Sequence, residues 1–167
     1  PLNLKDEGGF VRHGVWQGTP SMFQLIVDDK IQSISRWPNS GFEKILSSSG
    51  NTITVGTDRL KRWSTATESW LYGYLGNYFA DDSIAISKMD AVNKTITVAN
   101  NPRYAFSQNH DWSIINLLEE IDVPGEWFLD HATNILYYFP VDGFSEKEVR
   151  LSTKTDVLFT LNNTKDI

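Results

Sequence analysis

The segment IDVPGEWFLDHATNILYYFP, residues 121–140, carries the strongest β-hairpin pattern in the chain. Trp127 and Leu129 alternate with Phe128 on the first arm, and an equally apolar second arm follows at 135–139. The predicted turn is Asp130–Asn134, and asparagine is one of the few residue types that accept a positive φ at the end of such a turn. Because both arms carry aromatic side chains on both faces, we expect this hairpin to be buried and to form the core of the fold.

Length, charge and composition limit the classes of protein. The chain has 167 residues, which suits one domain with its own hydrophobic core. It contains no cysteine, so disulfide bonds and thiolate metal sites are excluded. A net charge of −6 with scattered Lys and Arg argues against a nucleic-acid partner, and no apolar run approaches the length of a membrane span. The first residue is Pro1, which favours a piece of a longer chain.

Alternating apolar residues and turn signals predict several more short strands. The predicted strand pairs are Met22–Asp28 with Ile31–Arg36, Ile45–Ser49 with Thr52–Val55, and Ser83–Asp90 with Lys94–Ala99; single strands are predicted at Glu148–Ser152 and Asp156–Leu161. Asp90 precedes Ile96 by the interval that separates Asp130 from Leu136, which predicts a shared turn chemistry. The predicted fold class is mainly β: an antiparallel β-barrel or sandwich of short strands with one or two short helices.

Two segments have helical spacing. Thr57–Ser69 begins with a capping aspartate and places two apolar residues three positions apart, and Ser113–Ile121 repeats apolar residues at helical intervals. Between them, Trp70–Asp82 interleaves glycine with aromatic residues. We interpret this stretch as a loop in which glycine leaves the backbone free to turn while the rings pack or project.

The sequence contains none of the common catalytic or metal-binding motifs. Its three histidines are isolated, so we predict no catalytic residue, no metal ligand and no cofactor. Glycoside hydrolysis requires two carboxyl groups across a cleft, and the sequence offers Glu126 with Asp111 or Asp130, although no motif supports that pairing. A structural use of Glu126, as an acceptor for backbone donors next to the turn, is the alternative.

Aromatic residues indicate a different kind of site. Sugars present CH faces that stack on Trp and Tyr side chains. Trp37, next to a proline, and Trp70, Tyr72 and Tyr74, in the glycine-containing loop, are therefore candidates for a saccharide platform. The alternatives for these residues are packing in the core and packing against another domain.

Five segments in their order resemble one family. They are SISRWPNSGF (33–42), RWSTATESWLYGYLGNYFADD (62–82), SKMDAVNKTITV (87–98), NLLEEIDVPGEWFLDHATNILYYFP (116–140) and RLSTKTDVLFTL (150–161). Together they resemble the domain inserted into bacterial right-handed parallel β-helix glycoside hydrolases of the family 141-like kind. PGEW…LYYFP and RWPN are the most specific parts. The chain departs from the family at Asn134, where glycine is usual, and at Ile34-Ser35, where Leu-Ala is usual.

The resemblance implies a small β-rich insertion that leaves an early coil of a β-helix, with the catalytic carboxylates on coils outside this chain. Residues 1–167 would form a single β-rich domain, a fragment of a larger β-helix protein, and 156–167 would begin the strand that re-enters the β-helix. The implied partner is the β-helix domain of the same parent chain. The implied location of the parent is secreted, periplasmic or on the cell surface of a bacterium.

Three functional hypotheses follow. The first is an accessory, non-catalytic domain that packs on the β-helix and shapes the polysaccharide groove, with Arg36, Trp37, Trp70 and Tyr72 facing the β-helix or the sugar. The second is an autonomous carbohydrate-binding module that uses an aromatic platform to hold polysaccharide. The third is a self-sufficient glycosidase, which depends on the carboxylate pairing described above. No nucleic-acid or membrane partner is expected.

Overall fold

The computed structural model describes residues 13–14, 24–152, 162 and 165. These residues are mainly β, in largely antiparallel sheets of short strands, which confirms the predicted fold class. The strands are β1 (His13–Gly14), β2 (Gln24–Val27), β3 (Lys30–Ile31), β4 (Ser33–Ile34), β5 (Arg36–Trp37), β6 (Glu43–Lys44), β7 (Ser47–Ser49), β8 (Thr52–Thr54), β9 (Trp70–Asn77), β10 (Ala80–Asp90), β11 (Thr95–Val98), β12 (Asp111–Ile115), β13 (Glu126–Asp130), β14 (Ile135–Tyr138) and β15 (Val149–Ser152). The strand predicted at Asp156–Leu161 lies outside the described residues.

The helices of the described part are three short 3-10 turns, at Arg59–Lys61, Leu118–Glu120 and Phe144–Glu146. No helix there is long and apolar enough to cross a bilayer.

A nine-stranded sheet dominates the structure, with the order β5-β12-β9-β10-β11-β8-β7, while β6 also pairs with β12 and β1 with β10. Ile45 and Leu46 connect β6 directly to β7. The N–H of Ile45 donates to the carbonyl oxygen of His110 at 2.9 Å, and the N–H of Leu46 donates to that of Thr54 at 2.9 Å. Residues 43–49 therefore pair first with β12 and then with β8, so they connect two strands that stand far apart in the sheet order.

The larger hydrophobic core lies against one face of this sheet. Alternate residues of its strands point to the same face, so Leu71 and Leu75 of β9 and Ile84 of β10 are at most 1% exposed. The buried members of the core are Ile45, Ile53, Val55, Leu60, Trp63, Leu71, Leu75, Ile84, Ile96, Val98, Phe106, Trp112, Ile114 and Leu117.

The hairpin at 121–140 forms as predicted, from β13 and β14, and Asn134 adopts a φ of 61° at the end of its turn. The prediction that it forms the core of the fold is wrong. Trp127 and Leu129 belong to a second, smaller cluster, together with two residues of β2. Phe128, on the opposite face of β13, is also buried, at 7% exposed. β13 is thus buried on both faces, although it does not belong to the larger core. The apolar pattern of a strand indicates that the strand is buried, but not in which part of the structure it lies.

Both predicted helices are wrong. The first part of Ser113–Ile121 belongs to β12, which pairs with β9 on one edge and with β5 and β6 on the other. A central strand that is buried on both faces is apolar at most positions, so its sequence also fits the spacing of apolar residues on a helix. In Thr57–Ser69 only Arg59–Lys61 is helical, as a 3-10 turn, because the following serines and threonines favour turns over helix.

The loop predicted at Trp70–Asp82 is also wrong, because this stretch forms β9 and the beginning of β10. Its glycines allow close approach of neighbouring backbone. A Cβ atom at Gly73, where φ is 149°, would lie less than 3.0 Å from the carbonyl oxygen of Asp111, and a Cβ at Gly76 would lie equally close to that of Ala105. The glycines therefore permit the packing of β9 against its neighbours, and they do so within a strand.

The turns after β10 and β13 share the predicted chemistry. The Asp90 carboxylate accepts hydrogen bonds from the N–H groups of Val92 and Asn93, both at 2.9 Å. The Asp130 carboxylate accepts the equivalent bonds from Ala132 at 2.9 Å and Thr133 at 3.1 Å. Each aspartate thus satisfies two backbone donors of its own turn.

We expect an Asp90→Asn variant to lose less stability on acidification than the wild type. The hydrogen bonds from Asn93 and Val92 hold the pKa of Asp90 below its usual 3.8. A carboxyl with a lowered pKa contributes stability above its unfolded pKa, and that contribution is lost as the pH falls through the folded value. Asparagine keeps the acceptor oxygen without titrating. The midpoint of urea unfolding should therefore fall less steeply in the variant below about pH 4.

Asp142→Asn provides the control, because Asp142 is exposed and its carboxylate makes no hydrogen bond with a described residue. Identical acid curves for Asp90→Asn and the wild type would contradict the prediction.

Candidate functional site

The strand register separates the four residues predicted for the site. Ile115 of β12 is paired with Arg36 on one side and Trp70 on the other, so these three residues share one face of the sheet. The neighbouring row joins Trp37 to Ile114 and, across β12, to Leu71. Since Leu71 is fully buried, this second row faces the core. Arg36 and Trp70 therefore lie on the outer face of the sheet, together with Tyr72, and Trp37 lies on the inner face.

Trp37 packs at the edge of the larger core. Its ring centroid lies 5.4 Å from that of Trp63 and 5.7 Å from that of Trp112. The guanidinium carbon of Arg59 lies 5.6 Å from the Trp37 ring centroid, a distance suited to a cation–π contact. The structure thus surrounds the Trp37 ring with protein groups, although the residue keeps partial exposure.

Trp70 lies on the outer face but is only 8% exposed, which leaves little of its ring for a sugar. Tyr72, two residues along β9, is half-buried. The structure brings Tyr72 and Arg36 into one group on this face, and it separates Trp37 from that group.

Four aromatic residues form a continuous group on the outer face, which we call the aromatic face: Phe42, Tyr72, Tyr74 and Tyr78. The Phe42 ring lies 6.0 Å from both Tyr72 and Tyr74, and Tyr74 lies 6.1 Å from Tyr78. The His110 ring stacks on Tyr78 at 4.5 Å. The sequence pattern indicated Tyr72 and Tyr74 as site residues. It did not indicate Phe42 and Tyr78, because their proximity to the site depends on the register of β6, β9 and β12.

The rings of the aromatic face are tilted relative to one another. Phe42 makes an interplanar angle of 46° with Tyr72 and 71° with Tyr74, and Tyr74 makes one of 37° with Tyr78. Rings tilted in this way contact one another through their edges, so together they do not form one flat surface. The arrangement suits contact with an irregular surface, or with one sugar ring at a time, better than stacking along a flat chain.

Two cationic side chains, Arg36 and Lys44, lie next to the aromatic face. The Arg36 guanidinium lies 5.5 Å from the Phe42 centroid and donates to the carbonyl oxygen of Gly41 at 2.7 Å. Lys44 forms an ion pair with Asp111 and donates to the Tyr78 hydroxyl at 3.2 Å. The hydrogen bond to Asp111 raises the pKa of Lys44, and the contact with Tyr78 adds to this effect. Arg36 and Lys44 are thus each bonded to a group within or next to the aromatic face.

Tyr72 carries a polar group at one end of the aromatic face, next to Phe42. Its hydroxyl lies 3.5 Å from a carboxylate oxygen of Asp81. Burial raises the pKa of the Tyr72 hydroxyl, and the charge of Asp81 raises it further, so the phenol stays protonated at neutral pH. Tyr72 can therefore act there as a hydrogen-bond donor.

The three carboxylates considered for glycoside hydrolysis have structural contacts. Glu126 is 2% exposed and accepts hydrogen bonds from the N–H groups of Asp122 at 2.9 Å and Val123 at 3.1 Å. Burial raises its pKa, against the opposing effect of these donors. Asp111 pairs with Lys44, and Asp130 holds its own turn. The structural interpretation of Glu126 is confirmed, and these contacts give the hydrolytic pairing no support.

Together these observations define a small, mainly β domain with an aromatic outer face. No family model and no curated protein matches the chain. A solved structure described as a glycoside hydrolase is similar to it, with a TM-score of 0.63 and 17% sequence identity over 85% of this chain. The chain spans 31% of the length of that protein, so it resembles one part of a larger glycoside hydrolase. At this identity, the likeness shows a shared fold.

Proposed function

We propose that this chain is an accessory, non-catalytic domain of a larger carbohydrate-active enzyme, in which the aromatic face lines one side of the polysaccharide groove. The observation that carries the proposal is the group of four partly exposed, mutually tilted rings on the outside of the sheet. The similarity in fold to part of a glycoside hydrolase supports the choice of a carbohydrate ligand. In this proposal the rest of the parent is a right-handed parallel β-helix of the family 141-like kind, and the parent acts outside the bacterial cytoplasm.

Within this function, the four residues predicted from the sequence have different parts. Tyr72 and Arg36 belong to the surface that meets the sugar or the β-helix, since both are partly exposed on the outer face. Trp70 lies on the same face two residues from Tyr72, but it is nearly covered and offers little surface to a ligand. Trp37 fixes β5 against the core.

The test is turnover of polysaccharide by the full-length parent carrying Tyr72→Ala or Tyr78→Ala. Removing one ring that contacts the substrate in the transition state should lower kcat/KM by about tenfold, which corresponds to about 1.4 kcal/mol. Tyr78 is 56% exposed, so its replacement should leave the folded structure intact. A melting curve for each variant verifies this.

Phe79→Ala is the matched control. Phe79 is adjacent to Tyr78 and is 65% exposed, but its ring packs on Tyr104, away from the aromatic face. Its variant should keep full activity. If both tyrosine variants turn over polysaccharide as fast as the Phe79 variant, the aromatic face does not line the groove.

An autonomous carbohydrate-binding module is the second candidate, and the exposure of Tyr78 favours it. It predicts that the 167-residue chain alone binds glycans on an array and that Tyr78→Ala abolishes the binding. The accessory role predicts instead that the aromatic face acts only next to the rest of the parent.

A further inference from the structure

A cleft lies beside β10, near the point where its pairing with β9 ends. β10 pairs with β9 along one edge as far as Ala85 and with β11 along the other edge from Ile86 onward, and its register with β11 shifts between Ile86 and Lys88. Such a bulge bends a strand and turns its side chains to new directions. Beyond this point no described strand covers the β9 side of β10, and residues 64–69 leave a cleft of about 270 Å³ there.

The cleft has an apolar floor of limited area. Ala66, Ile86 and Met89 provide it, and all three are partly exposed and pack against the larger core. Trp63 and Leu60 also border the cleft, but they are at most 1% exposed and offer almost no surface to a ligand. A preformed apolar floor of this kind contributes to the affinity of a small-molecule site, whereas polar groups determine which ligand binds.

Hydroxyl groups line the cleft above this floor. Ser64, Thr67 and Ser69 contribute side chains to the lining, and their hydroxyls make no hydrogen bond with a described residue. Ser69 is only 3% exposed, but its hydroxyl is not fully cut off from solvent. These hydroxyls can therefore exchange water for the hydroxyl groups of a polar ligand in the cleft.

The only charged side chain in the lining is a cation. Lys88 is exposed at the rim and makes no ion pair with a described residue. The lining contains no carboxylate. Asp90, two residues along β10, already directs its carboxylate oxygens to the donors of its own turn. The charge of Lys88 contributes to the lowered pKa of Asp90, but because the two form no ion pair, the Lys88 ammonium can still contact an anionic ligand.

We propose that this cleft binds a single sugar residue and prefers one that carries a carboxylate, such as a uronic acid. An apolar floor matches the CH face of a pyranose, the surrounding hydroxyls match its hydroxyl groups, and Lys88 matches the carboxylate. Its volume is near the lower end of the range of about 300–1,000 Å³ that is typical of small-molecule sites, so it accommodates one ring. The site is separate from the aromatic face, and the two can be tested independently.

The experiment is an NMR titration of the 167-residue chain with methyl β-glucuronide and with methyl β-glucoside at low salt. Saturable amide shifts should be confined to residues 64–69 and 86–91. The uronide should bind about two- to fivefold more tightly than the glucoside, as expected for one exposed charge pair. Added salt should remove this preference.

Two variants and one control assign the contacts. Lys88→Gln should abolish the preference for the uronide, whereas Ser69→Ala should weaken both glycosides by about two- to tenfold. Lys61→Gln removes an equally exposed lysine outside the cleft and should change neither affinity. Absence of saturable shifts with both glycosides would overturn the proposal, and so would shifts confined to the aromatic face. Because the readout is binding to this chain, failure here leaves the turnover test of the aromatic face unaffected.

Discussion

The Gly73→Ala variant should lose about 3 kcal/mol or more of its free energy of unfolding. Two costs add at this position. The φ of 149° is one that L side chains rarely adopt, and the new Cβ would overlap the carbonyl oxygen of Asp111 and contact the backbone of Trp112. Both obstacles are backbone atoms of β12, so relief requires β9 and β12 to move apart. Urea unfolding measures the loss.

Two other glycines separate these costs. At Gly50, φ is 57° but nothing lies within 4 Å of the new Cβ, so alanine should cost only about 1 kcal/mol. Gly56 has neither a strained φ nor a close neighbour, since its nearest contact is 3.8 Å away. Alanine there should be neutral or stabilise by up to about 1 kcal/mol. Equal losses at Gly73 and Gly50 would show that the approach of β12 does not matter.

The Glu120→Ala variant should lose about 2–4 kcal/mol. The Glu120 carboxylate is fully buried and accepts a hydrogen bond from the indole Nε1 of Trp63 at 2.6 Å. Arg59 contacts its second oxygen at 2.5 Å, and Arg62 lies 3.5 Å from the first. Alanine leaves the Trp63 donor unpaired inside the core and removes the carboxylate that both guanidinium groups face, although Arg62 still donates to the carbonyl oxygen of Glu119. Each arginine is partly exposed, so water relieves some of that loss.

Glu120→Gln provides the internal comparison. The glutamine keeps an oxygen for Trp63 but has no charge, so it should lose about 1–2 kcal/mol. Glu119→Gln controls for the neighbouring residue. Among the described residues, the Glu119 carboxylate accepts a hydrogen bond from the exposed hydroxyl of Thr65 alone, so this variant should lose at most about 1 kcal/mol. A Glu120→Ala protein as stable as the Glu119 variant would mean that the buried network does not hold residues 59–63 against 117–120.

The sequence was most informative where structure is local. The hairpins at β10–β11 and β13–β14 were predicted because alternation, turn residues and the aspartate interval all act within a few positions. Ser113–Ile121 was predicted as a helix because its apolar run satisfies several periodicities. Only its neighbours on both edges, which come from distant parts of the chain, make its first part a strand.

The candidate site shows the same limit. Tyr72 and Tyr74 were named as candidates because they flank a glycine in a stretch that was interpreted as a loop. Phe42 belongs to the same surface only because residues 43 and 44 pair with β12, and no local pattern records that pairing. Trp37 was assigned to the same surface as Tyr72, and only the register shows that its row faces the core.

Residues 43–49, which pair with β12 and then with β8, also influence how the chain folds. Hairpins such as β9–β10 and β10–β11 join strands that are adjacent in sequence, so the loop-closure entropy they lose is small. Lys44 instead meets Asp111 across 67 residues. Loop-closure entropy favours this pairing once the intervening hairpins have shortened the effective loop, so we expect it among the late steps of folding. The aromatic face needs Phe42 beside Tyr72, so we expect it to form only in the completely folded chain.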